Sequence, residues 1–280
     1  MKRIVLCCMA ALLWSNCSWG QAESATVATF NIRYANPGDA PDTWENRRAV
    51  VANLIRFHEF DIVGIQEGLH RQVMDLTGLL PNHDFVGVGR DDGKEAGEYS
   101  AIFYNKERFS VLQSETFWLA PETSYPNKGW DAALPRICTW AKMEDKAAGK
   151  TFYVFNTHFD HRGVEARNQS AQLILDKIKA INPDGIPVLL TGDFNVGQET
   201  DAYKLLKAAP GMKDTFDAAG MVYANNGTTN GFDTSTSTER IIDHIFVSET
   251  ITVKKYGILT DTYHGRYPSD HFPVMAVISW

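Results

Sequence analysis

The chain has 280 residues, 44% hydrophobic and 22% charged, with Lys+Arg 27 against Asp+Glu 34 and a formal net charge of −7. An acidic chain without a Lys/Arg-dense run is a poor candidate for tight, non-specific binding to duplex DNA. No low-complexity linker or charge block divides it, and no apolar run beyond its start is long enough for a membrane helix.

Lys2 and Arg3 precede an apolar run over 4–13, too short to span a bilayer, and small residues follow at Ser18 and Gly20. This pattern predicts a secretory signal over residues 1–20, cleaved after Gly20 or Ala22, and hence a secreted or periplasmic protein. A lipoprotein signal acylated at Cys17 is the rival, but Trp14, Ser15 and Asn16 are poor residues ahead of such a cysteine. Cleavage removes Cys7, Cys8 and Cys17 and leaves Cys138 alone, so the mature fold is held by its core rather than by an internal disulfide. About 260 residues remain, read as a single domain over 21–280 and expected to act as a monomer.

Alternation predicts a strand over 25–32 that carries Asn31, and Asn36-Pro37-Gly38-Asp39 is a turn cluster. Asp42 or Thr43 caps a helix starting near Trp44, whose apolar face holds Val50, Val51, Leu54, Ile55 and Phe57. An apolar strand over 60–67 ends in Glu67, and a second helix over 70–80 is closed by Pro81. Strands follow over 85–89 and 98–104, separated by a polar, Gly-containing loop, and another over 111–118. Residues 119–135 carry Pro121, Pro126, Gly129 and Pro135 and read as a long ordered surface loop, the usual place for substrate recognition.

Strands over 136–143 and 151–156 lead to His158, and a helix spans about 164–181. The apolar run Ile186-Pro187-Val188-Leu189-Leu190 then reads as a buried strand closed at Gly192. Asp193 and Asn195 stand just past it, two apart, so both side chains can point the same way. A carboxylate that takes a proton from water, beside an amide that orients it without adding charge, suits hydrolysis. A short helix near 202–208, a polar run over 225–238, a strand over 241–247 and a loop over 263–269 follow. Asp270-His271 precedes a closing strand over 272–278. Strand, helix, then a strand ending in an acid describes both 27–67 and 152–193. Two such layers packed sheet against sheet make an α/β sandwich, with one sheet covered by helices on both faces as the alternative.

Asn31, Glu67, Glu98, His158, Asp193, Asn195, Asp243, Asp270 and His271 therefore all fall at or beside predicted strand ends. The segments Thr29-Phe30-Asn31, Gln66-Glu67, Asn156-Thr157-His158, Gly192-Asp193-Phe194-Asn195, Ile242-Asp243-His244-Ile245 and Ser269-Asp270-His271 carry a resemblance. In their order and their spread over nearly the whole mature chain they resemble the endonuclease/exonuclease/phosphatase superfamily with the deoxyribonuclease-I-like fold. That resemblance implies a four-layer α/β sandwich, with two mixed β-sheets face to face and helices outside, and metal-dependent hydrolysis of phosphate esters.

The expected roles follow. Glu67, with Asn31 and Asp270, offers hard oxygen ligands to Mg²⁺, for which Mn²⁺ can substitute. Asp193 activates water and Asn195 orients water or phosphate, while His158 and His271 donate to the phosphoryl oxygens as charge builds. By resemblance, Glu98 pairs with His158 and Asp243 with His271, fixing tautomers and favouring the charged forms. Arg90, Arg136, His161, Arg162 and Arg167 are candidates for a second anionic group, and Trp118, Tyr125 and Trp130 for stacking on a sugar or base. His70, His83 and His264 read as surface residues. The expected substrate is a small-molecule or lipid-linked phosphodiester or monoester. A nuclease for DNA or RNA is the alternative, and a non-catalytic glycan- or lipid-binding module on the same fold is a third reading.

Overall fold

The computed structural model describes residues 24–236 and 238–280, so the expected signal segment lies outside the described residues. Strand β1 (Ser24–Asn31) leads through helix α1 (Trp44–Phe57) to β2 (Ile62–Gln66), which pairs with β1 in parallel. Helix α1 opens at Thr43 and buries Val51, Leu54 and Ile55, the spacing of one helical face. After β2 come β3 (Gly68–Leu69), α2 (His70–Leu79), β4 (His83–Val86), β5 (Glu98–Tyr99) and β6 (Ile102–Asn105). A long hairpin, β7 (Phe109–Trp118) with β8 (Ile137–Asp145), holds the 119–135 loop, and β9 (Lys150–His158) pairs with β8.

Helix α3 (Val164–Ile181) then returns the chain to β10 (Val188–Asp193), parallel to β9. The remaining elements are α4 (Asp201–Lys207), β11 (Met212–Asp214), α5 (Thr215–Ala218), β12 (Val222–Tyr223), β13 (Asp243–Ser248), β14 (Thr252–Ile258) and β15 (Val274–Ser279). The repeated strand–helix–strand pattern is thus realised once in each of two sheets. One sheet runs β12-β14-β15-β1-β2-β6-β4 and the other β11-β13-β10-β9-β8-β7, with β3 and β5 in a separate ribbon.

The apolar residues fall into layers. Val27, Ile62, Ile102, Met143, Val154, Leu189, Ile245 and Ala276 fill the space between the sheets. Phe30, Val63, Ile65 and Phe103 pack under α1 and α2, while Tyr153, Phe155, Leu190 and Phe246 pack under α3 and α4. Central strands are buried on both faces, which explains their nearly continuous apolar runs. This is the deoxyribonuclease-I-like sandwich of two helix-backed sheets, and the single-sheet alternative is excluded.

Several boundaries differ from the sequence reading. The strand expected over 98–104 is broken at Ser100 and Ala101, whose carbonyl accepts the Ile65 amide, and the closing strand starts only at Val274. Strand β14 was not expected, because Lys254 and Lys255 interrupt its alternation where a register shift between Val253 and Lys255 lets the chain slip. The 119–135 loop is ordered as read. Asp131, on that loop, accepts the amide of Ala166 at 2.7 Å in the first turn of α3.

A polar joint closes the two sheets on each other near one end. Asn156 of β9 donates to the carbonyls of Ile65 and Ala101, both at 2.9 Å, and accepts from Gln66 Nε2 at 2.7 Å and Thr191 Oγ1 at 3.1 Å. Both amide protons and both carbonyl lone-pair sites are used, so this buried group is fully satisfied. Gly64 makes the approach feasible: a Cβ there would stand 2.3 Å from Asn156 Oδ1 and 2.4 Å from Thr191 Oγ1. Gly64→Ala is expected to lower stability by about 1–3 kcal/mol, the range for overpacking a filled site. A urea midpoint shifted by under about 0.5 kcal/mol equivalent would show that the sheets have slack there.

Candidate active site

Strand pairing gathers the polar residues before any side chain is considered. In the second sheet Asp193 is register partner to His158 on one side and to Asp243 on the other. In the first sheet β1 runs beside β2, so Asn31 lies opposite Gln66, and Glu67 follows at once with φ 64. Because β15 is antiparallel to β1 and pairs Val274 with Thr29, the segment before it delivers Asp270 and His271 to the same end. Ser269 Oγ fixes that segment by donating to the Asn31 carbonyl at 2.7 Å.

The side chains converge there. Asn31 Nδ2 donates to Glu67 Oε1 at 3.1 Å and to Asp193 Oδ2 at 3.0 Å, and so links the acids of the two sheets. Asp193 Oδ1 accepts the Asn195 amide at 2.9 Å, while His158 Nε2 and His271 Nε2 stand 3.5 and 3.9 Å from Oδ2. His271 Nδ1 is paired with Asp243 Oδ2 at 2.9 Å. Glu67, His158, Asp193, Asn195 and His271 open on a cavity of about 410 Å³ that is also lined by Arg33, Tyr34, Glu98, Leu134, Arg136, His161 and Asp270.

Burial and charge then divide the titratable groups. Burial, reinforced by the Asp243 charge, raises the Asp193 carboxyl to about 7 against the pull of His271 and the bonds from Asn31 and Asn195. Burial alone would lower the His271 pKa, but Asp243 together with Asp193 and Asp270 outweighs it and holds the imidazole well above its ordinary value. His158 goes the other way. Burial and the nearby Arg136 and Arg90 charges depress it well below the ordinary histidine range. The site thus combines a carboxylate poised near neutrality, an imidazolium and a neutral imidazole.

Several sequence expectations are corrected. Glu98 Oε2 lies 3.7 Å from His158 Nδ1, beyond a hydrogen bond, because Arg90 grips Glu98 at 2.6 and 2.9 Å. Arg90 is therefore spent on Glu98 instead of being held out for a second anion, and His158 does not gain the charged form expected of it. Asn31 turns its amide nitrogen towards the acids, and its oxygen accepts the Arg33 amide at 3.0 Å, so it joins carboxylates instead of adding an oxygen donor. Trp118 is buried with its indole nitrogen on the Arg90 carbonyl at 2.8 Å, a packing role and not a stacking one.

Arg136 and His161 do line the cavity and touch each other at 2.9 Å through Arg136 Nη2 and His161 Nδ1. Arg162, Arg167 and Trp130 are not among its lining residues. Arg167 instead donates to the Asp160 carbonyl at 3.0 Å. His264 is exposed as read, whereas His70 and His83 are half-buried and bonded to the Tyr99 hydroxyl and the Phe60 carbonyl.

Arg33, Tyr34 and Leu134 line the cavity without having been singled out as site residues. For the first two, the available signal was their place immediately after the strand end that carries Asn31. Behind them lies Arg47, fully buried, which donates to the carbonyls of Asp42, Ile32, Arg33 and Pro268 and stacks on Trp44 and Phe232. It ties the chain past β1 to the loop before Asp270.

The donor set fits a hard divalent cation. Glu67 and Asp270 present carboxylate oxygens to one side of the cavity, 4.0 and 3.6 Å from Arg33 Nη1, so positive charge is already drawn between them. Asp193, Asp243 and His271 also bring ligand atoms within 4.8 Å of one another. Asp243 is paired with His271 at 2.9 Å and does not line the cavity, which leaves Glu67 and Asp270, which do, as the better pair.

Holding Asp193 near neutrality has a stability consequence. Its folded pKa of about 7 lies above the usual carboxylate value, so ionisation of the folded state costs stability. The cost is absent below about pH 4, grows towards pH 7 and is constant above it. In chelator, Asp193→Asn should gain about 1–3 kcal/mol on the native protein between pH 4 and pH 8. Denaturation midpoints with no such divergence would place the Asp193 pKa near its ordinary value.

The sequence profile described as "Endonuclease/Exonuclease/phosphatase family" matches residues 28–271. An endonuclease/exonuclease/phosphatase family protein from Bacteroides thetaiotaomicron is 44% identical, with a TM-score of 0.90 over 93% of this chain and 99% of its own. A mannosyl-6-phosphatase of Bacteroides thetaiotaomicron VPI-5482, Bt3783, is also 44% identical, with a TM-score of 0.90 over 91% of this chain and 100% of its own. Protein L388 of Acanthamoeba polyphaga mimivirus is 28% identical over 84% of this chain and 91% of that protein. With the fold, the strand-end acids and this match in agreement, the chain belongs to the Endonuclease/Exonuclease/phosphatase family, hydrolases of phosphate esters that generally depend on a divalent metal.

Proposed function

We propose that the protein is a Mg²⁺-dependent phosphomonoesterase acting on a small sugar phosphate, with Mn²⁺ as a substitute metal. The observation that carries this reading is the convergence of Asp193, His158 and His271 beside Glu67 and Asp270 in one cavity of about 410 Å³. A cavity of that size accommodates a sugar phosphate. Kinship with the mannosyl-6-phosphatase, at 44% identity, supports the sugar. The acidic composition weighs against bulk nucleic acid. The reading includes export, carried by the basic and apolar start of the chain, and one folded domain over the rest.

In this mechanism water attacks phosphorus, the ester P–O bond breaks, and the sugar leaves as its alkoxide, which takes a proton from solvent to become the alcohol. Asp193, held by Asn31 and Asn195, accepts the proton from the attacking water. Asn195 spends its amide nitrogen on the Phe159 carbonyl at 3.1 Å, so its oxygen is the atom that orients that water. His271, fixed through Nδ1 by Asp243, donates from Nε2 to a non-bridging oxygen as negative charge builds. Neutral His158 donates from the other side of Asp193. Glu67 and Asp270 would hold the metal, which when bound neutralises charge on the phosphoryl oxygens.

Phosphate release from mannose 6-phosphate should stop in EDTA and return with Mg²⁺ or Mn²⁺. Asp193→Ala should lower kcat by about 10³-fold or more, with KM changed far less. In a panel of sugar phosphates, inositol phosphates, phospholipid head groups, plasmid DNA and RNA, the sugar phosphates should lead in kcat/KM. Faster cleavage of plasmid or RNA would replace this reading with a nuclease, and tight ligand binding without turnover in any metal would replace it with a binding module.

Asp243→Asn provides an independent check on His271. Without the carboxylate its pKa falls, so protonation is lost at lower pH. The alkaline limb of the kcat/KM profile should therefore move to lower pH in this variant. An unmoved alkaline limb would assign that ionisation to another group.

A further inference from the structure

We propose that Arg33 is a specificity-determining residue of this site, its Nη1 holding a terminal oxygen of a phosphomonoester that a diester does not possess. The proposal rests on the phosphoesterase reading and narrows it to one ester class.

The guanidinium is oriented by contacts on its far side. Nε donates to Asp39 Oδ2 at 2.9 Å and Nη2 to Asp39 Oδ1 at 3.1 Å, a two-point fork that fixes the plane of the group. Asp39 is itself held in the Asn36–Asp39 turn, where Asn36 Nδ2 reaches it at 2.8 Å. One face of the guanidinium lies over the Tyr34 ring at 4.5 Å. That leaves Nη1, which lines the cavity and makes no hydrogen bond among the described residues. Its nearest acceptors, Asp270 Oδ2 and Glu67 Oε2, are at 3.6 and 4.0 Å. Two N–H donors on a fixed plane therefore face the space beside the acid pair.

The backbone is held as firmly as the side chain. Arg33 has φ 55, a left-handed conformation that a long side chain seldom adopts. Its amide donates to Asn31 Oδ1 at 3.0 Å, and its carbonyl accepts from Gln72 Nε2 at 2.9 Å and Arg47 Nη2 at 3.2 Å. Those bonds sustain an unfavourable geometry, and its effect is to aim the arginine back over the strand end that carries Asn31.

The chemistry of the two ester classes then decides what Nη1 can select. A phosphomonoester near neutral pH carries close to two negative charges spread over three non-bridging oxygens. A diester carries one charge over two, and its third oxygen bears a carbon. An immobile guanidinium pairs well with the former, and the latter brings a substituent against donors that cannot move aside.

The test compares mannose 6-phosphate and bis(p-nitrophenyl) phosphate at saturating Mg²⁺, with inorganic phosphate as competitor, in the native protein, Arg33→Gln, Arg33→Lys and Asp39→Asn. For Arg33→Gln, kcat/KM should fall about 100-fold on the monoester and no more than about 5-fold on the diester, the scale of one charged hydrogen bond. The inhibition constant of phosphate should rise about 30-fold. Asp39→Asn and Arg33→Lys should move the same ratio in the same direction by about 5- to 10-fold, which guards against Arg33→Gln failing to fold.

Equal losses on both esters, or an unchanged phosphate constant, would overturn the proposal. If the native protein hydrolyses neither ester, the phosphoesterase reading falls instead. Calorimetric phosphate affinity in Mg²⁺ then still judges Arg33, and a native-to-variant ratio under about threefold would reject it.

Discussion

The amide of Asn156 is the contact on which the molecule depends. It reaches from the second sheet to two carbonyls of the first, and its own oxygen is capped by one residue from each sheet. The backbones approach closely at that point because Gly64 leaves the space free. The joint lies two residues before His158 and the paired Gln66 one residue before Glu67, so catalytic strand ends from different sheets are set against each other with little play. An apolar contact would tolerate sliding; four directional hydrogen bonds do not.

At that end the fold gathers more carboxylates than an apolar interior tolerates, and it answers with cations on their far sides. Asp243 is answered by His271, Glu98 by Arg90, Asp39 and Asp270 by Arg33, and Asp160 by Arg136. Asp193 is answered least: it is buried beside the Asp243 charge, which is why its proton affinity is raised. Positive φ at Arg33, Glu67 and Asn195 recurs just beyond β1, β2 and β10. Each strand turns sharply once it has delivered its polar side chain, and the bends are sustained by the bonds around them.

Much of this was legible in the sequence, because apolar runs closed by polar residues report strand ends and strand ends are where the site lies. The doubled strand–helix–strand pattern likewise foretold two sheets, each with a parallel pair joined through a helix. What the sequence could not carry was the partner of each long side chain. Arg90 and Arg33 look alike on paper, yet one is locked behind Glu98 while the other faces the cavity, and only packing distinguishes them. Trp118 looks like a stacking platform in the sequence, yet its indole nitrogen is bonded to the Arg90 carbonyl in the loop before β5. Strand β14 escaped notice because Lys254 slips out of the pairing with β15 and breaks the alternation.

Arg47 gives the rim of the site its mechanical character. No carboxylate lies in salt-bridge range of it among the described residues, and its charge is solvated by main-chain oxygens from segments on either side of the cavity mouth. A guanidinium stays ionised at any pH the protein meets, so acid or base cannot undo this clasp. The stretch past β1 and the approach to β15 are consequently yoked. Any breathing of the entrance carries both lips together, as one stiff hoop.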